Sequence, residues 1–190
     1  MPVRAGAVLG VAVLILGCTP PASVRVYDEV VVLPSPVESL FEGSSASVIS
    51  PYVWSVPAGW QAFAGDGIRL GTFEVTGRGA TARTTIVSLE GDAGGVRANV
   101  VRWLDQLGLK LGDRDLDSLL DSAAPITTTA GVTLMVYDLT EFAATAAEST
   151  IGAIGSIGAQ TLFVKMTGDA ALLRRVRPSF EALVASVRRR

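Results

Sequence analysis

Histidine is absent from all 190 residues. That removes the usual general base near neutral pH, the serine–histidine nucleophile pair and the commonest zinc ligand. Cysteine occurs once, as Cys18, so no disulfide can form within the chain and its fold must be held by a core. Lysine is nearly absent too: of 16 basic residues only Lys110 and Lys165 are lysine. Aromatic residues make up 6% of the chain, and the formal net charge is −2. A core thin in aromatics leans on each one it has. A slightly acidic balance excludes the basic footprint of a nucleic-acid binder.

What the chain does have begins at its first residue. Met1–Arg4 carry one positive charge, and Ala5–Leu16 are apolar without interruption. That run suits a signal-peptide core and is too short to span a bilayer. It ends in Ile15-Leu16-Gly17-Cys18, followed by Thr19-Pro20-Pro21. This resembles a bacterial lipobox: aliphatic at −3, small at −1, cysteine at +1, with Leu16 at −2 in place of the commoner alanine or serine. The resemblance implies that Cys18 carries a diacylglycerol thioether and ties the chain to a membrane facing the periplasm or the cell exterior. Two or three acyl chains anchor stably where one does not. Thr19, standing where inner-membrane lipoproteins commonly carry aspartate, points to the outer membrane over the inner.

Residues 1–17 are thus expected to be a signal peptide and 18–50 a lipidated, Pro- and Ser-rich tether. Within it Val24, Val26, Val30 and Val32 share a parity. Val24–Leu33 reads either as an edge strand or as a membrane-proximal segment. Residues 51–190 have the size of one domain.

Along that domain, strands are expected at 52–56, 67–76 and 82–89, the last two joined by the turn TGRGA. A helix follows at 94–107. Val96, Val100, Trp103, Leu104 and Leu107 form its apolar stripe, and Gly108 stands at its C-terminal cap. A second helix begins at Asp113, whose side chain can cap it, with Asp115 and Asp117 in the first turn. Residues 125–140 read as two strands joined at Ala130-Gly131. Residues 148–156 and 159–167 read as a hairpin turning through Ile157-Gly158. The last segment is helical, capped by Asp169 and broken or kinked at Pro178. Trp54, Trp60, Trp103, Phe63, Phe73, Phe142, Phe163 and Phe180 are the core candidates. Neighbouring strands on short turns predict an α+β fold, a mainly antiparallel sheet flanked by helices as an α/β/α sandwich.

The sequence WSVPAGW, the glycine-bounded strands, the helix, the hairpins and the terminal FEALVASV together resemble the PsbP-like fold, also seen in Mog-type Ran-binding proteins and in lipoproteins of the DcrB and LpqN kinds. More narrowly, VPAGW…LEGDAGGVRANVVRWLDQLGL is similar to bacterial lipoproteins without assigned activity that share a GDAGG…N…RW…QLGL core. The likeness spans residues 51–190. It implies an accessory or binding role and no particular chemistry.

The residues themselves carry no catalytic motif. Asp113, Asp115 and Asp117 have calcium-loop spacing, but Ser118 and Ala124 stand where an EF-hand needs glycine and glutamate. GDAGG lacks the spacing of a P-loop or a dinucleotide loop; Asp92 is expected to cap the helix that follows. Arg97, Asn99 and Arg102 fall on the helix's non-core side, a candidate contact for a partner or an anion. No metal site and no cofactor are expected. The reading is a non-catalytic, lipid-anchored envelope module binding a protein partner or small ligand. The alternative is a carboxylate-dependent hydrolase or sugar-active enzyme. It requires two of Asp66, Glu74, Glu90, Asp92, Asp138 and Glu141 to converge in one cleft.

Overall fold

Short turns set the strand pairing. β3 (Arg69–Gly77) passes into β4 (Ala80–Glu90) through Arg78 and Gly79, both at positive φ, 55° and 80°. That is the turn whose twist matches a two-residue hairpin. β7 (Glu148–Ile157) passes into β8 (Gln160–Asp169) through Gly158 and Ala159. β5 (Ala124–Thr127) and β6 (Thr133–Asp138) pair around Gly131. With β2 (Gln61–Phe63), these form one seven-stranded sheet in the order β2-β3-β4-β8-β7-β6-β5, antiparallel throughout. The computed structural model describes residues 50–143 and 147–190. The signal peptide, Cys18, nearly all of the tether and the optional strand at 24–33 lie outside the described residues.

Three helices cover the sheet. α3 (Ala170–Ser186) lies on one face, where Phe180, Leu183 and Val184 pack on Phe73, Ile86, Ile151, Leu162 and Met166. α1 (Val96–Gln106) and α2 (Asp113–Asp121) lie on the other, where Val100, Trp103, Leu104, Leu116 and Leu119 pack on Tyr137, Ile154 and Phe163. The fold is therefore α+β, a large antiparallel sheet flanked by helices. A ribbon of β1 (Tyr52–Val53) and β9 (Arg188–Arg189) ties the two ends of the domain together. It also employs two of the terminal arginines as strand.

α1 ends as its sequence predicts. Gly108 has φ 68°, its N–H donates to the Asp105 carbonyl at 3.0 Å, and the Leu109 N–H donates to the Leu104 carbonyl at 2.9 Å. This paired closure satisfies the helix's last carbonyls. Its start differs from expectation. Gly95 is the capping residue and no side chain caps there; Val96, expected in the stripe, is 36% exposed. Asp113 likewise lies inside α2, after a Gly112 cap, with Asp115 also in the first turn. Pro178 does not break the terminal helix, which runs through it from Ala170 to Ser186, capped by the Asp169 carboxylate on the Leu172 N–H at 2.9 Å. The packing of Phe180, Leu183 and Val184 outweighs the one helical hydrogen bond that proline removes. The first strand stops at Val53, and β2 is not expected from the sequence. Of the core candidates, Phe63 is the failure: it sits on the edge strand and is 42% exposed.

Candidate functional site

Alternation along the strands gives the sheet's α1/α2 face two different halves. Under the helices the inward residues are apolar: Met135, Tyr137, Ile154, Phe163 and Val87. Gly152 lies there too, and a Cβ at that position would overlap the Trp103 ring. A missing side chain in β7 therefore makes the seat for the largest side chain of α1. Beyond Trp103 no helix among the described residues covers β4, β3 and β2, and apart from Phe63 on the edge strand the residues pointing out there are polar.

Register places these polar residues in two rows. One runs Phe63–Thr72–Thr85–Lys165 across β2, β3, β4 and β8. The next runs Gln61–Glu74–Arg83–Thr167. Cross-strand neighbours on one face lie close enough to act together on one bound group. A cavity of about 410 Å³ opens over them, rimmed by Asp66 and Arg69. A register shift between Arg69 and Gly71 turns Arg69 towards this face.

The charges of the cavity are mostly paired. Arg83 donates from Nε and Nη2 to Glu74 at 2.9 and 2.6 Å. Arg69 pairs with Asp66, and its backbone N–H also donates to that carboxylate at 2.9 Å. That backbone bond, with the guanidinium beside it, holds the Asp66 carboxyl below its ordinary value. Lys165 is different. Its ammonium sits 5.8 Å from the centre of the Trp103 ring and donates to the Gln106 side-chain carbonyl, a neutral partner. Burial pushes its pKa down, and Glu148 pulls it back only in part. A cation over an aromatic face, with no carboxylate in contact among the described residues, is placed to receive an anionic group.

This shift has a testable sign. The ammonium is less favoured in the folded chain than in the unfolded one, where it titrates near 10.5. Its destabilising share is complete below the folded pKa and fades as pH rises through that value towards 10.5. Urea unfolding of wild type and Lys165→Met is expected to show their difference moving in favour of wild type as pH rises from neutral to that limit. A difference independent of pH would mean that the amine is not desolvated.

The residues singled out in the sequence lie elsewhere. Arg97 is paired with Asp117 and reaches Asp113 at 3.5 Å, fastening α1 to α2. Asn99, expected on the solvated side, is 3% exposed, and its amide donates to the Ala93 and Gly95 carbonyls at 3.0 and 2.7 Å. Asn99 turns inward on these two carbonyls, that of Gly95 also accepting the Asn99 backbone N–H at 3.3 Å. Arg102 donates to the Asn99 carbonyl at 2.7 Å. Asp92 does not cap α1; it accepts from the Gly94 N–H at 3.2 Å within the turn. GDAGG is thus a self-bonded connection, fastened to β8 by the Thr161 hydroxyl on the Gly91 carbonyl at 2.6 Å.

The six carboxylates divide. Asp66 and Glu74 share the open cavity; Asp138 and Glu141 line another, of about 320 Å³. Glu90 closes β4 and Asp92 lies in the turn after it. Arginine partners hold Asp66, Glu74 and Asp138. A glycosidase acid needs its pKa raised, whereas that of Asp66 is lowered. Among the described residues no group of three potential ligands gathers as a metal site, and no helix is long and apolar enough to cross a membrane.

Thr85, Arg83, Lys165 and Thr167 were not legible as a site. Their signal is the parity they share with Thr72 and Glu74: three adjacent strands polar on the same face mark a sheet face that no helix among the described residues covers.

An antiparallel α+β sandwich with one half-open polar face is the class that fold and site define. No family model matches the sequence, and no curated protein matches it. Among solved structures the chain is similar to the solution structure of cyanobacterial PsbP (CyanoP) from Synechocystis sp. PCC 6803. Identity is 12%, covering 82% of this chain and 100% of that one, with a TM-score of 0.44. It is also similar to a crystal structure from Bacteroides thetaiotaomicron VPI-5482, at 13% identity and a TM-score of 0.38, covering 74% of this chain. This chain spans 45% of that protein's length. A PsbP-type protein thus stands among the structural neighbours. At such distances the likenesses say nothing about function, and the description of the fold rests on the sheet and helices themselves.

Proposed function

We propose that this chain is a lipid-anchored cell-envelope protein of the GDAGG-core lipoprotein kind, and that its domain is a non-catalytic binding module for a small polar ligand. The anchor is Cys18, and the outer membrane is favoured over the inner. The ligand carries hydroxyl groups and one anionic group, and lies on the open half of the sheet. One observation supports this above the rest: two cross-strand rows of hydroxyl, guanidinium and carboxylate groups stand uncovered beside an apolar half that helices cover. Thr72, Thr85 and Thr167 offer hydroxyls, and Lys165 offers a charge that no contacting carboxylate neutralises. Polar groups of this kind gain most from a partner that bonds them. Arg97 and Arg102, already bonded within the domain, give a protein partner no comparable surface. Asp66 and Glu74 share this cavity, as the hydrolase reading requires, but both are paired with arginines and the Asp66 carboxyl is held down where a general acid needs it raised.

The test is thermal unfolding of the full chain in neutral detergent with gluconate, glucuronate, quinate and the matching neutral sugars. At a hundredfold excess over Kd, ligand stabilises by about 2.7 kcal/mol, or roughly 5–10 °C at 2–4 °C per kcal/mol. At least one acid is expected to do this, its neutral counterpart less, and Thr85→Trp, which fills the cavity, is expected to abolish the rise. The proposal fails if none of the acids stabilises wild type, or if Thr85→Trp responds equally.

A further inference from the structure

We infer that one end of the domain is a docking face for an anionic phospholipid surface, which its arginines hold at the headgroups and its exposed aliphatic side chains enter. This is the end at which the described chain begins. The Pro51 carbonyl accepts the Arg190 N–H at 2.9 Å, and Tyr52 and Val53 pair with Arg189 and Arg188 in the β1–β9 ribbon. The docking face rests on the anchor reading only for what brings the domain to a membrane, and it does not depend on what the polar rows bind.

Register brings the rest of this end together. β4 closes with Leu89 and Glu90 opposite Thr161 and Gln160, and β7 closes with Ile157 opposite the same Gln160. The Tyr52 hydroxyl donates to the Gln160 side-chain carbonyl at 2.7 Å, and the Arg189 guanidinium lies beside Gly158 of the β7–β8 turn. The ribbon is thus seated where β4 gives way to the glycine turn and α1. β3 starts at this end too, with Arg69 opposite Val87 and Ile68 just before it. Of large apolar side chains, this end exposes Ile68 at 71%, Leu89 at 42% and Val96 at the start of α1. The opposite end, made by the β3–β4 turn and the start of α3, exposes none among the described residues. Single exposed aliphatics are ordinary on a surface; three at one end, beside a run of cations, make an amphipathic face.

Charge points the same way. Arg188, Arg189 and Arg190 are consecutive, so the chain itself gathers their charge in one place, and all three are exposed. Among the described residues none of them is paired with a carboxylate, although Arg69, Arg83, Arg97 and Arg177 all are. Arg188 reaches the Ser186 carbonyl at 3.5 Å, at the end of α3. Of the acidic residues at this end, Asp66 is neutralised by Arg69, which leaves Glu90 and Asp92 against three arginines. An anionic bilayer attracts basic residues held within a Debye length of it, and a guanidinium fork matches two oxygens of a lipid phosphate. Ile68 and Leu89 gain as their aliphatic groups leave water for the acyl boundary. The arginines lie on the α3 side of the sheet, where Tyr52 is buried, whereas Leu89 shares the parity of Val87 on the α1 side. A broad surface is what touches both sides at once.

The test places the full chain in nanodiscs of phosphatidylcholine, or of phosphatidylcholine with phosphatidylglycerol, at low ionic strength. Hydroxyl-radical footprinting, read by peptide mass spectrometry, follows Ile68, Leu89 and, beyond the other end of α1, Leu109. Oxidation of Ile68 and Leu89 is expected to fall several-fold in the phosphatidylglycerol discs relative to the neutral ones, to recover at high salt, and to leave Leu109 unchanged. In the triple variant Arg188→Gln/Arg189→Gln/Arg190→Gln the ratio of docked to free domain is expected to fall at least about tenfold, as the loss of three headgroup contacts implies. Equal oxidation in both kinds of disc overturns the docking face, as does protection that includes Leu109. Undiminished protection in a triple variant that melts like wild type overturns it as well. Retention in the neutral discs reads the anchor by itself. Chain that they do not hold is added free to both kinds of disc, and the same comparison then decides the docking face with the anchor reading already lost.

Discussion

Replacing Gly152 with valine is expected to destabilise the domain by about 3 kcal/mol, at the upper end of what overpacking costs. Gly152 is fully enclosed on β7, and even a single added carbon would overlap the six-membered ring of Trp103. Retreat of the ring would unpack α1 from the sheet, since Val100 and Leu104 beside Trp103 are buried in the same cluster as Tyr137, Ile154 and Phe163. Trp103→Ala alone is expected to cost about 3–5 kcal/mol, since it empties the same seat. The informative measurement is the double variant. Valine fills part of the space the ring vacates, so the two costs are expected to fall short of their sum by at least about 1 kcal/mol. Urea unfolding of the four proteins gives that coupling directly, and additive costs would show that the ring and the glycine do not share one space. Because Lys165 stands over the same ring, Gly152→Val is also expected to weaken whatever binds the open rows.

The second large effect concerns the anchor. Cys18→Ser is expected to abolish incorporation of radiolabelled palmitate into the chain, since serine cannot form the thioether that precedes acylation. The expectation rests on the apolar run Ala5–Leu16, on Gly17 before the bond to be cleaved, and on the solitude of Cys18. A free thiol exposed at the cell surface is liable to oxidation, and lipidation accounts for keeping one. Equal labelling of wild type and Cys18→Ser would end the lipoprotein reading, whereas the reading of the polar cavity would stand.

Local chemistry was legible to different depths. The hairpins were read correctly because TGRGA, Ile157-Gly158 and Ala130-Gly131 supply positive φ where a turn needs it. The amphipathic stripe of α1 was read correctly from Val100 to Leu104, and its end from Gly108. Phe63 was misread because its neighbours come from far along the chain: it looks like core, but β2 lies at the sheet's edge, and edge position is fixed by the other six strands. Asn99 was misread for a local reason: it looks like surface, but its amide bonds the Ala93 and Gly95 carbonyls, six and four residues before it. Pro178 reads as a break or a kink, and it is not a break, because the residues after it are bound to the sheet strongly enough to carry the helix through.

By itself the sequence determined the class of the fold, its hairpins, the positions of its helices and the absence of histidine or cysteine chemistry in the domain. These follow from residue periodicity, turn propensity and composition, which act over a few positions. Only the tertiary structure decided which half of the sheet stays open. Thr72, Thr85 and Lys165 come from three strands, and β8 reaches β4 across an interval of some seventy residues that holds both helices. Trp103 settles on Gly152 because that is where a ring fits, and there α1 and α2 stop covering the face. The rows beyond it are polar in the sequence, but they become a candidate site only because, among the described residues, no helix is packed on them.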